Sequence, residues 1–325
     1  MQKILVLRGG ALGDFIVTLP ALALLRQSWP AARIELAGNT TAAALALRTV
    51  GPPLAGGPLR EHPVAQRQTP ARLQANLLDA AHSQHEARWS ALFGDTPLPF
   101  AFAEWLASFD LVLNFWPDDD SALRRRFPLR KGQVYLSAAA MPAAAPAAAH
   151  YCAALAPLGL ATTDYCYPIG AHAPSDSRAN ALIALHPGSG SSRKNWPIER
   201  WTELCAWLEG EHQAKLLIVT GDAEAAGTLE RYGTAARNLP LNELVARFGE
   251  CRLFLGHDSG VSHLAAACGV PSVLLFGPTD PAIWAPPATH VRLLKRGPEM
   301  TSISVSDVQR EVHSLLQVPR SPAFL

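Results

Sequence analysis

Residues 251–284, CRLFLGHDSGVSHLAAACGVPSVLLFGPTDPAIW, constrain the fold more than any other stretch. An apolar run at 253–255 stops at Gly256, His257-Asp258-Ser259-Gly260 follow, 261–268 reads as a helix, and 270–276 as a second buried strand. A strand that ends in a Gly/Ser/Asp turn and passes straight into a helix leaves first-turn N–H groups and the positive dipole end open to an anion. In an open parallel sheet such turns lie at the carboxyl ends of the strands, where ligands bind. The turn 277–281 closes the next strand on that edge, so two anion-ready turns side by side point to a phosphorylated ligand.

The start of the chain has the same grammar. Residues 3–7 form a short apolar strand, Arg8-Gly9-Gly10-Ala11-Leu12-Gly13-Asp14 a glycine-rich turn, 15–28 a helix interrupted at Pro20, and 33–37 the second strand. Pro20 either kinks that helix or marks its true first turn. The G-x-x-x-G spacing is not the dinucleotide fingerprint, and no acidic residue stands at the expected ribose position. Asp14 begins the helix, where a carboxylate is a favourable charge; on the open edge it equally suits a general base.

Residues 51–70 form a Pro/Gly-rich loop, and 71–93 are helix-like, carrying His82 and His85 without an evident partner. The strand 109–115 ends in Trp116-Pro117 and three aspartates, followed by the basic cluster Arg124, Arg125, Arg126, Arg130 and Lys131. Such a run is a solvated face or, beside a cleft, a receiver for an anionic partner. A low-complexity stretch at 137–149 and a polar one at 168–180 follow, and the domain boundary falls in the second.

The pattern then restarts. Residues 182–185 are a strand, His186 to Lys194 (HPGSGSSRK) a small-residue turn with two cations, 198–208 a helix led by Pro197, 216–220 a strand ending at Gly221-Asp222-Ala223-Glu224, 242–248 a short helix, and 304–318 a terminal amphipathic helix. Two βα-alternating halves make an α/β protein of two Rossmann-like domains facing across a cleft. A chain of 325 residues suits two such domains.

A net charge of +1 excludes bulk nucleic-acid binding. The five cysteines, at 152, 166, 205, 251 and 268, are scattered without CxxC or metal spacing, as reduced thiols of a cytosolic protein are. Arg8 and Asp14 interrupt the apolar start too early for a signal peptide, and no stretch spans a bilayer, which restricts any membrane role to a peripheral one.

Taken together, ILVLRGGALGDFIVTLPAL, HPGSGSSRKNWP and GHDSGVSHLAAACGVPSVLLFGPTDPAIW resemble, in order, the bacterial ADP-heptose:lipopolysaccharide heptosyltransferases, glycosyltransferase family 9. The resemblance implies a GT-B fold: an acceptor-binding domain at 1–172, a nucleotide-sugar domain at 173–302, and a C-terminal helix at 303–325 packing back on the first. It implies an inverting transfer of heptose from ADP to a lipopolysaccharide core, by a cytoplasmic monomer peripheral to the inner membrane. The partners implied are a nucleotide sugar and an anionic glycolipid.

Displacing a nucleoside diphosphate requires a base, a hold on the departing pyrophosphate, and orientation for in-line attack. Asp14 matches the family's base and Lys194 its cation on the diphosphate. Ser189, Ser191 and Ser192 are donors to phosphate oxygens, and Gly13 and Asp258-Ser259-Gly260 line the same donor site. Asp258 either bonds sugar hydroxyls or caps the helix that follows; His263 either donates to a phosphate or packs. Glu224 loosely matches an acid on the ribose, or is an exposed first-turn residue. Trp196 and Trp284 read as core. Arg124, Arg125 and Arg126 are the acceptor-side candidates. No metal and no added cofactor are expected. Asn114-Phe115-Trp116-Pro117 and Gly9-Gly10 depart from the family pattern on the acceptor side. Two other classes share the architecture: a cofactor-free sugar-nucleotide epimerase and a non-catalytic nucleotide-sugar binder.

Overall fold

Each apolar run read from the sequence becomes a central strand, because a run buried on both faces is what a parallel sheet covered by helices demands. The computed structural model describes residues 1–47, 76–142, 146–167, 169, 182–221 and 229–317. The first half comprises β1 (Lys3–Arg8), α1 (Leu12–Ile16), α2 (Leu19–Ser28), β2 (Arg33–Gly38), α3 (Thr40–Ala43), β3 (Ala80–Ser83), α4 (Phe100–Leu106), β4 (Leu111–Asn114), α5 (Ala122–Arg126), β5 (Val134–Ser137) and α6 (Ala147–Ala153). The second comprises β6 (Leu182–His186), α7 (Ile198–His212), β7 (Lys215–Thr220), β8 (Gly233–Arg237), α8 (Leu241–Gly249), β9 (Leu253–His257), α9 (Gly260–Ala267), β10 (Ser272–Phe276), α10 (Pro281–Trp284), β11 (Val291–Lys295) and α11 (Val305–Gln317).

The first sheet has the order β3-β2-β1-β4-β5 and the second β11-β10-β9-β6-β7-β8, with every pairing parallel. Both are doubly wound orders, and the strand order reverses between β1 and β4 and again between β6 and β9. Those switch points open a crevice at the carboxyl ends of the strands. One apolar core runs unbroken from Ile4, Phe15 and Leu113 in the first half to Phe254, Leu264 and Phe276 in the second. A second core lies on the other face of the second sheet, and a third, rich in Trp and Phe, on the other face of the first.

Pro20 sits in the first turn of α2, so it starts a helix rather than kinking one. Two expectations change. The described part of 71–93 is not a helix: residues 80–83 pair with β2 and 87–92 form a 3-10 turn. Tertiary partners decide this, since buried Glu35 takes His82 Nε2 at 2.7 Å, and Asp79 bonds the Ile34 amide at 2.8 Å and Arg26 at 2.6 Å. His82 therefore has partners the sequence did not reveal. The terminal helix, over Val305–Gln317, packs against α7, β10 and β11 of the second half, and residues 318–325 of the segment expected to return to the first lie outside the described residues. Val305, Val308 and Val312 form one apolar stripe buried with Trp196, Trp201 and Ile303, and Arg252 bonds the Leu316 carbonyl. Strands β5, β8 and β11 were not read from the sequence at all. The boundary expected at 172–173 lies outside the described residues.

Candidate functional site

The site is built where the two switch points face each other. Strand β1 ends at Arg8, and Gly10 turns the chain with φ of +100°, a conformation that favours glycine. A side chain there would also collide with Asp14, whose Oδ2 would lie 2.5 Å from the added Cβ. Asp14 reaches back to accept from the Ala11 amide at 2.9 Å, satisfying a donor at the start of α1. Its other oxygen takes Arg8 at 3.1 Å, and Arg8 Nε donates to the Asp14 carbonyl at 3.0 Å. Arg8 is 4% exposed, whereas the Asp14 side chain is 32% exposed. A fixed carboxylate with one edge open to solvent is what a base at the cleft requires.

Opposite it, β9 ends at His257, and Ser259 caps α9, its Oγ accepting from the Ser262 amide at 3.3 Å. The cap is thus Ser259, one residue later than the Asp258 cap allowed by the sequence. The Asp258 carboxylate is turned instead to Lys194, whose Nζ donates to Asp258 Oδ2 at 3.2 Å and to the Asp258 carbonyl at 2.9 Å. The cation and the anion that a diphosphate would find awkward side by side are partners of one another. Lys194 lies on a 3-10 turn, Ser192–Lys194, that follows β6.

Gly13 and Gly260, the two helix-start glycines, meet: a Cβ on Gly260 would stand 2.8 Å from the Gly13 nitrogen. His263 lies beneath this contact, 4% exposed, with Nδ1 3.2 Å from the Tyr167 hydroxyl and Nε2 4.0 Å from Asp258 Oδ1. Burial pushes its pKa down to about 4, partly offset by the Asp258 and Asp14 carboxylates. The structure thus brings Asp14, Gly13, Lys194, Asp258, Ser259, Gly260 and His263 to one place. Ser189 sits there too, but its hydroxyl faces its own turn, within 2.7 Å of both the Ser191 carbonyl and Asn195 Oδ1. Ser192 is exposed and Ser191 half-buried. Glu224 lies outside the described residues.

Three participants have no signal in the sequence. Tyr151 reaches Arg8 from α6 at 2.9 Å, and Tyr167 reaches His263 from the segment joining the halves. His257 is wholly buried; its Nε2 accepts from the Trp196 amide at 2.9 Å and its Nδ1 lies 3.3 Å from the Gly188 carbonyl, so it fastens both ends of the turn that carries Lys194. Burial pushes its pKa down to about 3, keeping it neutral. Trp196 is core, with Nε1 bonded to the Ile303 carbonyl, and Trp284 is half-buried.

The arginine run disperses over the end of α5. Arg126 bonds the carbonyls of Ala91 and Thr96, Arg125 that of Asp120 at 2.7 Å, and Arg124 stacks over Tyr135 at 5.6 Å. Arg126 is therefore a tie for the 91–96 loop, while Arg124 and Arg125 stay exposed. Among the described residues no group of three or more His, Cys, Asp or Glu is arranged to hold a metal ion.

Residues 159–312 match the model of glycosyltransferase family 9 (heptosyltransferase). Lipopolysaccharide heptosyltransferase 2 of Salmonella typhimurium is 29% identical over 168 residues, covering 43% of this chain and 48% of that protein. The match thus spans less than half the length of such curated relatives. Along nearly the whole length, the fold is that of a family 9 glycosyl transferase from Veillonella parvula, with a TM-score of 0.69 at 19% identity and 97% of each chain covered. It is equally that of Escherichia coli heptosyltransferase WaaC with ADP, at a TM-score of 0.69, 17% identity, and 97% and 100% coverage. The GT-B architecture expected from the sequence is therefore the observed one, and the likeness to glycosyltransferase family 9 (heptosyltransferase) covers residues 159–312, just under half of the chain.

Proposed function

We propose that this chain is an inverting, metal-independent glycosyltransferase that moves a heptose from ADP-heptose to the core of a lipopolysaccharide. The observation that carries the reading is the convergence of an anchored carboxylate, Asp14, and a cation-bearing turn, Lys194 with Asp258, on one crevice between two doubly wound sheets. Asp14 takes the proton of the acceptor hydroxyl while that oxygen attacks the anomeric carbon. The bond from that carbon to the diphosphate breaks, and its electron pair leaves with ADP. Lys194, Ser191, Ser192 and the first-turn N–H groups of α9 receive the developing charge, so the residues themselves supply the electrostatic hold. Asp258, released from Lys194 by the arriving phosphates, is left to bond sugar hydroxyls, with His263 behind it. Glu224 at the ribose rests on the resemblance alone.

Arg124 and Arg125 receive the anionic glycolipid, at the cytoplasmic face of the membrane, with the enzyme acting as a monomer. No helix among the described residues is long and apolar enough to cross a bilayer. The test is to incubate the protein with ADP-heptose and heptose-free lipopolysaccharide core, with and without EDTA. Transfer that survives EDTA and falls roughly 10²–10⁴-fold in Asp14→Asn supports the reading. Abolition by EDTA would overturn the metal independence, and turnover of UDP-sugars without acceptor would replace a transferase with an epimerase.

A further inference from the structure

Among the described residues, Arg8 is the only lysine or arginine that is buried. Its guanidinium donates to Asp14 Oδ1 at 3.1 Å, the Asp14 carbonyl at 3.0 Å, the Ala140 carbonyl at 3.2 Å and the Tyr151 hydroxyl at 2.9 Å. Tyr151, itself fully buried on α6, donates its hydroxyl hydrogen bond to the Ala140 carbonyl at 2.9 Å, and its ring lies 4.6 Å beneath the guanidinium. Arg8 is thereby locked in position and in plane before it meets Asp14. We infer that Arg8 is the positioning residue of the reaction, aiming the Asp14 carboxylate, with Tyr151 fixing Arg8 in turn. This rests on the proposed role of Asp14 as base.

A burial this complete is costly for a cation unless all of its charge is answered, and among the described residues the only carboxylate bonded to Arg8 is that of Asp14. With Arg8 on one oxygen and the Ala11 amide on the other, rotation of the carboxylate is blocked, and the remaining lone pairs are offered to the open side. Small errors of aim at a reacting group are expensive in rate. When the acceptor O–H proton moves to Asp14, the carboxyl becomes neutral and Arg8 is left without its counter-charge. Once the glycosyl bond has formed that proton passes to solvent, which resets the base and restores the Arg8–Asp14 pair.

The experiment is steady-state kinetics with ADP-heptose and lipopolysaccharide core on wild type, Asp14→Asn, Arg8→Met, Arg8→Lys and Tyr151→Phe, each checked by thermal unfolding. Arg8→Met is expected to lose roughly 10²–10³-fold in kcat with the donor KM within about twofold. Arg8→Lys, which keeps the charge, recovers about tenfold of that loss, and Tyr151→Phe loses about threefold to tenfold. A folded Arg8→Met with kcat within about threefold of wild type, beside an inactive Asp14→Asn, overturns the positioning role and leaves the base intact. An active Asp14→Asn overturns both. A loss in Arg8→Met that Arg8→Lys does not reduce, with donor KM rising in step, marks a merely structural cation and also overturns the proposal. Should Arg8→Met not fold, Tyr151→Phe decides, since it removes a single oxygen: an unchanged kcat there sinks the inference.

Discussion

Gly13 and Gly260 stand so close that a methyl group on Gly260 would lie 2.8 Å from the Gly13 nitrogen and 3.0 Å from Leu12 Cβ. One glycine starts a helix of the first half and the other a helix of the second, and the obstacle is backbone, which cannot swing aside. Gly260→Ala is therefore expected to destabilise by about 1–3 kcal/mol through overpacking. Gly190→Ala, with nothing within 4 Å of the new Cβ, should stay within about 0.5 kcal/mol. Denaturant midpoints of the two variants check this, and equal midpoints would refute the contact.

Lys194 and Asp258 are predicted to be coupled in nucleotide binding. Lys194→Ala should weaken ADP binding by about ten- to a hundredfold, since a charge-assisted contact is worth about 1.5–3 kcal/mol. Part of that loss arises because Asp258, 10% exposed in its side chain, is left as an unanswered anion beside the phosphates. Adding Asp258→Asn to Lys194→Ala should then recover binding. Calorimetry that finds the double variant no better than the single would refute the coupling.

The buried histidines predict an acid-sensitive fold. His257 is held down to about 3 and His263 to about 4 by burial, against about 6.5 in an unfolded chain. Below about pH 6.5 the unfolded chain takes up protons that the native protein refuses, so stability is full above that pH and is lost as pH falls towards 4. The slope should approach about 1.4 kcal/mol per pH unit for each histidine. Glu35, held at about 2 chiefly by its bond from His82 and further by Arg33, adds a loss as pH falls from about 4.5 towards 2. Urea midpoints between pH 7 and 4.5 test the histidine part; a flat profile would contradict it.

The three consecutive arginines are predicted to separate by function. Arg126→Ala, which removes bonds to the Ala91 and Thr96 carbonyls, should cost about 1–2 kcal/mol of stability. Arg124→Ala and Arg125→Ala should leave stability within about 0.5 kcal/mol, and together raise the KM for an anionic acceptor while the donor KM stays put. Equal rises in both KM values would exclude an acceptor role.

The parts of the fold that could be read from the chain were those where one local signal suffices. Continuous apolar runs gave β1, β9 and β10; Pro197 and the turn before Val261 marked helix starts, while Pro20 left a kink and a first turn both open; the three valines of α11 repeated at helical spacing. Strands β5, β8 and β11 escaped because they are short and partly exposed, so neither an apolar run nor a clean alternation marks them. The segment around His82 misled because its helix-like pattern is overruled by Glu35, a partner 47 residues away. The same distance problem hid the site's supports. Asp14, Lys194 and Asp258 could be nominated from their turns, but Tyr151 is 143 residues from Arg8, and Tyr167 is 96 residues from His263. The choice of Ser259 over Asp258 as the cap is a matter of one residue, which residue type alone does not decide.

The place of β1 in the middle of its sheet has a consequence for how the chain comes into being. Its register sets Ile4 against Ile34 on one side and against Leu111 on the other. During synthesis β1 must wait for some hundred further residues before its second neighbour exists, with Leu5 and Val6 fully apolar and destined for complete burial. Parallel pairing at such separation folds slowly and leaves an adhesive edge in the interval. The half that carries Arg8 and Asp14 is thus the one whose nascent form most needs shielding from neighbouring chains.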